Sequence, residues 1–274
     1  MRHALKVHVA LVTLFLYAPL VVLVVYSFSA SRFALRMEGF TFEWYRRALS
    51  NPAVYKAVVT SFSVAFLSAA LSTGLGTALA LAIHSLRRAK VAGKALLAMG
   101  AFPLLAPEIV LGLGLLLFFS RFLRPSMLQW GLELGSFPSV VAGHVTLGIG
   151  YVMYTVRARL EHFDDAQLLA AHDLGASRPE AFWTVMFPQI LPGIIAGACL
   201  SLAVSLDDFY VSYFVSVGGS GYQTLPLYFW NLQGRQALTP EINVVSTLLL
   251  GFSFLFVLSA FVLQKWLRAP GEVT

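Results

Sequence analysis

Residues 157–187 read RARLEHFDDAQLLAAHDLGASRPEAFWTVMF, a polar stretch set between two long apolar runs. Asp164 with Gln167, and Ser177 with Glu180, have the spacing of two successive capping boxes, so two short helices are expected with Gly175 between them. The linking segment Leu168-Leu-Ala-Ala-His-Asp-Leu-Gly-Ala176 places small side chains at Ala170, Ala171, Gly175 and Ala176, which lets another backbone approach closely. On physical grounds alone two readings weigh equally: a docking surface for another chain, or a well-packed hairpin.

The flanks of this stretch set the solvent. Hydrophobic residues make up 58% of the 274, charged residues 12%, and mean hydropathy is +0.76. A soluble core of this size could not hide that much apolar surface, whereas a bilayer can. Six runs reach the roughly 20 apolar residues a spanning helix needs, at about 8–29, 57–83, 95–119, 137–156, 189–217 and 243–266. The expected fold is therefore an all-α integral membrane protein with about six transmembrane helices, one transmembrane domain over 1–274, and a connecting loop at 157–187. The first run follows Arg2 and Lys6 like a signal peptide, but its length and Pro19 indicate an uncleaved anchor.

Net charge is +6. The basic residues sit between apolar runs with no aromatic-basic patch, which argues for membrane flanks and against nucleic acid. With the N-terminus inside, the inner segments carry 11 of the 19 basic residues, among them Arg87, Arg88, Lys90 and Lys94 in 84–94. That short basic segment places both termini in the cytoplasm. Residues 30–56 form a long outer loop whose segment 41–49 suits a short surface helix with Phe42, Tyr45, Ala48 and Leu49 on one face. The outer loop 218–242 is rich in glycine and polar residues and is expected to be irregular. Cys199, the one cysteine, reads as a small hydrophobe.

Ionisable residues inside spans are costly and normally face a cavity. Glu108, His144, Asp207 and Asp208 qualify, and a rise of about 1.5 Å per residue puts all four at similar depth in the outer half of the bilayer. Carboxylates remote from basic residues, with Tyr210 and Tyr213 beside them, suit a cationic amine. Against this, Glu108 could cap or pair internally, His144 could be a helix-packing group, and adjacent helix positions point about 100° apart, so only one of Asp207 and Asp208 is expected to line a path. Pro103, Pro107, Pro188 and Pro192 interrupt or bound helices. Gly74 with Gly76, and Gly112 with Gly114, read as ordinary helix contacts. There is no zinc-protease motif, and the Gly93-Lys94 pair has Arg88 where a phosphate-binding loop needs glycine.

Ala170-Ala-His-Asp-Leu-Gly-Ala-Ser177, followed by Val185-Met-Phe-Pro188, resembles the EAA loop of ABC importer permeases. Gly175 to Val185 keeps the ten-residue spacing, and Leu169 stands where the family usually has Glu. Tyr17-Ala-Pro19, Tyr26-Ser-Phe-Ser29, Trp44-Tyr45, Pro107-Glu-Ile-Val110, Ser205-Leu-Asp-Asp-Phe209 and Thr224-Leu-Pro226 are similar in order to spermidine/putrescine permeases.

The resemblance implies a type I ABC importer permease fold in a bacterial inner membrane. It implies a second permease, two ATP-binding subunits using ATP-Mg, and a soluble substrate-binding protein as partners, with no cofactor on this chain and no enzymatic activity of its own. It further implies that Leu169, Ala170, Ala171, Asp173, Leu174, Gly175, Ala176 and Pro188 belong to the segment that couples to the ATPase. A permease for another small solute, or a carrier acting alone, is the alternative, although the chain shows no clear inverted repeat.

Overall fold

The computed structural model describes residues 2–34, 36–87, 89–121, 134–216, 222–234 and 240–267. Arg88, counted toward the inner charge, lies outside them, as do 218–221 and 235–239 of the loop expected to be irregular. Among the described residues the chain is helical, with one isolated bridge between Ser29 and Phe40. It divides into two compact units, Met1–Lys56 with Tyr228–Phe256, and Ala57–Leu227 with Val257–Thr274.

In the first unit, α1 (Arg2–Tyr26) is apolar around its whole circumference, and none of its most apolar window is buried by the chain itself. Such a surface is stable only against lipid or another protein. The connecting loop folds back on itself: Trp44 Nε1 donates to Ser29 O at 2.9 Å, and Phe28 stacks on Phe40 and Tyr45. The expected surface helix is α2 (Glu43–Ser50), but its inward face is Trp44 and Ala48, while Phe42 and Leu49 are exposed. The indole donor fixes this orientation, since a buried N–H needs an acceptor.

The second unit carries α3 (Pro52–Ser85, its first residues in the first unit), α4 (Lys90–Leu105), α5 (Glu108–Arg121) and α6 (Phe137–Glu161). Next come the short helices α7 (Ala166–Asp173) and α8 (Arg178–Ala181), a π-helical turn at Phe182–Met186, α9 (Phe187–Asp207) and α10 (Tyr210–Val215). Two more helices follow in the chain, α11 (Leu225–Gly234) and α12 (Glu241–Leu267), both assigned to the first unit over Tyr228–Phe256. Because α11 falls inside 218–242, that loop is not irregular throughout; Pro226 sits in the first turn, where its missing N–H costs no intrahelical bond.

Among the described residues, four helices pass as long and apolar enough to cross a bilayer over Leu5–Tyr26, Pro52–Ser85, Phe137–Glu161 and Arg178–Asp207. The run expected at 95–119 is instead a pair, α4 and α5, bent by 111°. Proline disfavours helical geometry in the residue before it, and Ala106 before Pro107 is extended (φ −73°, ψ 136°). Helix α12 runs 27 residues, Glu241–Leu267, over the apolar run expected at 243–266. Among the described residues, helices thus lie along all six expected apolar runs, and the α4–α5 run is the one bent sharply within its apolar length.

Helix α6 is the centre of this unit. Val140, Val145 and Val211 pack in one cluster with Leu111, and Val152, Val156, Phe163 and Ile190 in another. It meets α9 at small residues: a β-carbon on Gly193 would lie 2.8 Å from Thr155 O, and one on Gly197 2.8 Å from Val152 Cα. In lipid, close backbone approach of this kind supplies the dispersion contacts that hold helices together. Of the two glycine pairs noted above, only Gly76 and Gly112 sit at contacts; Gly74 and Gly114 face open space.

Candidate functional site

The run expected to be continuous over 189–217 breaks at Asp208, where the backbone is extended (φ −62°, ψ 128°) between α9 and α10. A break inside an apolar span leaves amide N–H groups without intrahelical acceptors, and no water is available to meet them. The Asp208 carboxylate fills that role, with Oδ1 accepting from Val211 N at 3.2 Å and Oδ2 from Ser212 N at 2.9 Å. The break also separates the two acids. Asp207 ends α9 exposed, whereas Asp208 is 4% exposed.

His144 of α6 stands against the same junction, buried, with Nε2 3.4 Å from Asp208 Oδ2. Its Nδ1 is 2.7 Å from Ser205 Oγ and its Nε2 2.9 Å from Ser212 Oγ. A hydroxyl can donate or accept, so both ring nitrogens are satisfied in either tautomer. Ser205 Oγ in turn lies 3.1 Å from Ser68 Oγ on α3. One turn along, Gly148 makes room for Ser72 and Ser201, whose Oγ atoms would stand 2.4 and 2.2 Å from a β-carbon there. These serines join three spans through a polar seam. Sequence reasoning missed them because single serines barely lower the mean hydropathy of a twenty-residue apolar run; the signal available was their recurrence at 68, 72, 201, 205 and 212, spacings of one or two helical turns.

Glu108 opens α5 and is exposed. It lies within electrostatic reach of Asp208 and Asp207. Its helix packs tightly on α10: a β-carbon on Gly112 would meet Phe214 Cδ2 at 2.8 Å and Tyr210 O at 2.9 Å. Tyr210 and Tyr213 keep partly open faces and share an aromatic cluster with Phe209, at centroid distances of 5.3 and 5.5 Å. Thus all six residues expected along a path gather where two broken helices meet α6. They form two sets: Glu108, Asp207, Tyr210 and Tyr213 are open, and His144 and Asp208 are enclosed. Among the described residues, no Lys or Arg forms an ion pair with Glu108 or Asp207.

At the opposite end of the same unit lies the polar loop 157–187. The second capping box forms, with Ser177 Oγ accepting from Glu180 N and Glu180 Oε2 accepting from Ser177 N. The first does not. Asp164 Oδ1 accepts from Ala166 N, and Gln167 Oε1 accepts from Gln189 Nε2 at 2.6 Å, so the glutamine is drawn to α9 instead of back to the helix start. Gly175 takes φ +90°, a left-handed turn that side chains resist, and this reverses the chain between α7 and α8. Leu168 turns into the core while Leu169 and Leu174 stand 64% and 89% exposed. Ala170 and Asp173 share the open surface, Ala171 and Ala176 are half-buried, and Pro188 is exposed in the first turn of α9. Asp165 ties this loop to α3, paired with Arg87 and with His84 Nε2 at 3.2 Å from Oδ1.

Residues 72–269 match the model of the family described as binding-protein-dependent transport system inner membrane component. The chain is 36% identical over 253 residues to the spermidine/putrescine transport system permease protein PotC of Haemophilus influenzae, covering 92% of this chain and 93% of that one. It is 34% identical to the putrescine transport system permease protein PotI of Escherichia coli, covering 86% and 82%. Among solved structures, a bacterial ABC transporter involved in the import of alginate superposes with a TM-score of 0.73 at 17% identity, covering 97% of this chain and 95% of that one. The MetNI methionine ABC transporter superposes with a TM-score of 0.60 at 16% identity, covering 78% and 95%. These two share the fold.

Proposed function

Because this chain belongs to the family of binding-protein-dependent transport system inner membrane components, we propose that it is the permease subunit that carries a polyamine, spermidine or putrescine, through an ATP-driven importer. In this reading the whole chain is one transmembrane domain with both termini in the cytoplasm. It pairs with a second permease and with two ATP-binding subunits, which hold ATP-Mg, and it receives substrate from a soluble binding protein. The exposed Leu169–Leu174 face, with its neighbours Ala170, Ala171, Asp173, Gly175 and Ala176 and with Pro188 at the base of α9, docks on the ATPase. Leu169 makes that contact by shape and apolar area where most of the family offers a carboxylate.

The observation that carries the substrate reading is the set of open, uncompensated acids beside tyrosines at two helix breaks. An ammonium group passing Asp207 and Glu108 gains charge attraction that falls steeply with solvent exposure, and Tyr210 and Tyr213 offer cation–π faces to the same groups. Broken helices are a recurrent way to place polar groups at membrane depth without leaving backbone unsatisfied. His144 and Asp208 hold the junction in shape and act on substrate only through it. The identity to polyamine permeases over about nine-tenths of the chain supports the same substrate class.

The test is uptake of labelled spermidine and putrescine by cells expressing the complete system, with ATPase co-purification as the check on assembly. Asp207→Asn and Glu108→Gln should each lower uptake by at least about tenfold while assembly is retained. Wild-type cells that assemble the complex and import neither amine would refute the substrate.

A further inference from the structure

A cavity of about 400 Å³ lies between the ends of α3, α4 and α6 on the side of the α7 coupling helix. Its composition is divided. Ile83, Leu97 and Leu160 give it apolar walls, and three cations reach it, Arg87 from the turn after α3, Lys94 from α4 and Arg157 from α6. Nothing in the transport path uses it.

The cations are unequally occupied. Arg87 pairs with Asp165, and Arg157 with Glu161 at 2.8 Å. The second is an i,i+4 pair on a helix surface whose carboxylate is mostly exposed, the kind that contributes only a few tenths of a kcal/mol and yields readily to a better acceptor. Lys94 forms no ion pair among the described residues. With Glu161 as the one carboxylate in the lining, the cavity keeps an excess of positive charge.

Three helix ends mark its level in the membrane. Helix α3 stops at Ser85, α4 starts at Lys90 and α6 stops at Glu161, so the cavity sits where hydrocarbon gives way to headgroups. An occupant that matches it carries a phosphate on one side and an apolar body on the other. We propose that the cavity binds the headgroup of an anionic phospholipid from the inner leaflet, its phosphodiester held by Lys94 and Arg157 and its glycerol region against Ile83, Leu97 and Leu160. Basic cavities between spans on the cytoplasmic side recognise anionic headgroups in this manner. Arg87 is common to the cavity and to Asp165, the residue immediately before the coupling helix, so the bound lipid adjoins the joint through which ATPase motion reaches α3.

The complete importer, extracted gently and analysed by native mass spectrometry, tests this without any transport measurement, so its failure would leave the polyamine reading untouched. Wild type should retain phosphatidylglycerol in preference to phosphatidylcholine when exchanged into mixed micelles of the two. The double variant Lys94→Gln/Arg157→Gln, which leaves the Arg87–Asp165 pair intact, should retain at least about fivefold less phosphatidylglycerol. Millimolar inorganic phosphate should not displace the lipid. Equal retention of the two lipids by wild type overturns the proposal, and that comparison decides even if the variant fails to assemble. Displacement by inorganic phosphate would overturn the lipid assignment in favour of a soluble anion.

Discussion

Replacing Asp208 by alanine should destabilise the assembled importer, because its carboxylate braces an enclosed helix junction. The substitution removes the acceptor for Val211 N and Ser212 N and the carboxylate beside His144, all enclosed in protein at membrane depth. Hydrogen bonds to a charged acceptor contribute about 1.5–3 kcal/mol each, and a lost helix cap about 1 kcal/mol, with overlap between the two. A loss of about 3 kcal/mol follows, or a fall in melting midpoint of about 6–12 °C for a chain of this size. Asp208→Asn keeps one carbonyl acceptor and should lose about half as much. Asp207→Asn, at an exposed helix end, should leave the midpoint unchanged and abolish uptake instead. The assay is intrinsic tryptophan fluorescence during heating of the complete complex in nanodiscs, run beside uptake in cells. If Asp208→Ala shifts the midpoint by less than about 2 °C, or if Asp207→Asn lowers it as far, the division into an enclosed brace and an open acid is wrong.

Two further outcomes follow from packing and exposure. Gly148→Val drives a side chain into Ser72 and Ser201 where even a β-carbon has no room, so it should cost at least about 1–3 kcal/mol and reduce the yield of monodisperse complex on size exclusion. Leu169→Asp/Leu174→Asp alters a surface that the permease itself does not bury; the purified permease should melt as wild type does, while ATPase recovered in pull-down falls by at least about tenfold.

The spans were legible because burial in lipid writes itself into twenty consecutive residues at a time. Their interruptions were not, because a break occupies one residue. Pro107 did carry a signal, since the residue before a proline avoids helix. The interruption at Asp208 hid inside an apolar run, and its one cue was an acid that suits a helix start rather than a helix interior. Adjacent acids on an unbroken helix would differ by about 100° in direction; the break changes the question, turning one acid into part of the scaffold. At the coupling loop, Ser177 and Glu180 found each other as their spacing required, whereas Gln167 preferred Gln189, a partner 22 positions away that no local pattern could announce.

The π-helical turn at Phe182–Met186 sits between the α7–α8 loop and the span that ends at Asp207. Such a turn absorbs one residue more than an α-helical turn, and one residue is worth about 100° of rotation. It therefore sets the phase of α8 independently of α9. On the docking proposed above, lengthening or shortening this one turn would re-aim the face offered to the ATPase while every residue from Ile190 onward kept its bearing on α6. Two histories of selection, one for the motor and one for the cargo, can thus be recorded in a single uninterrupted rod of helix.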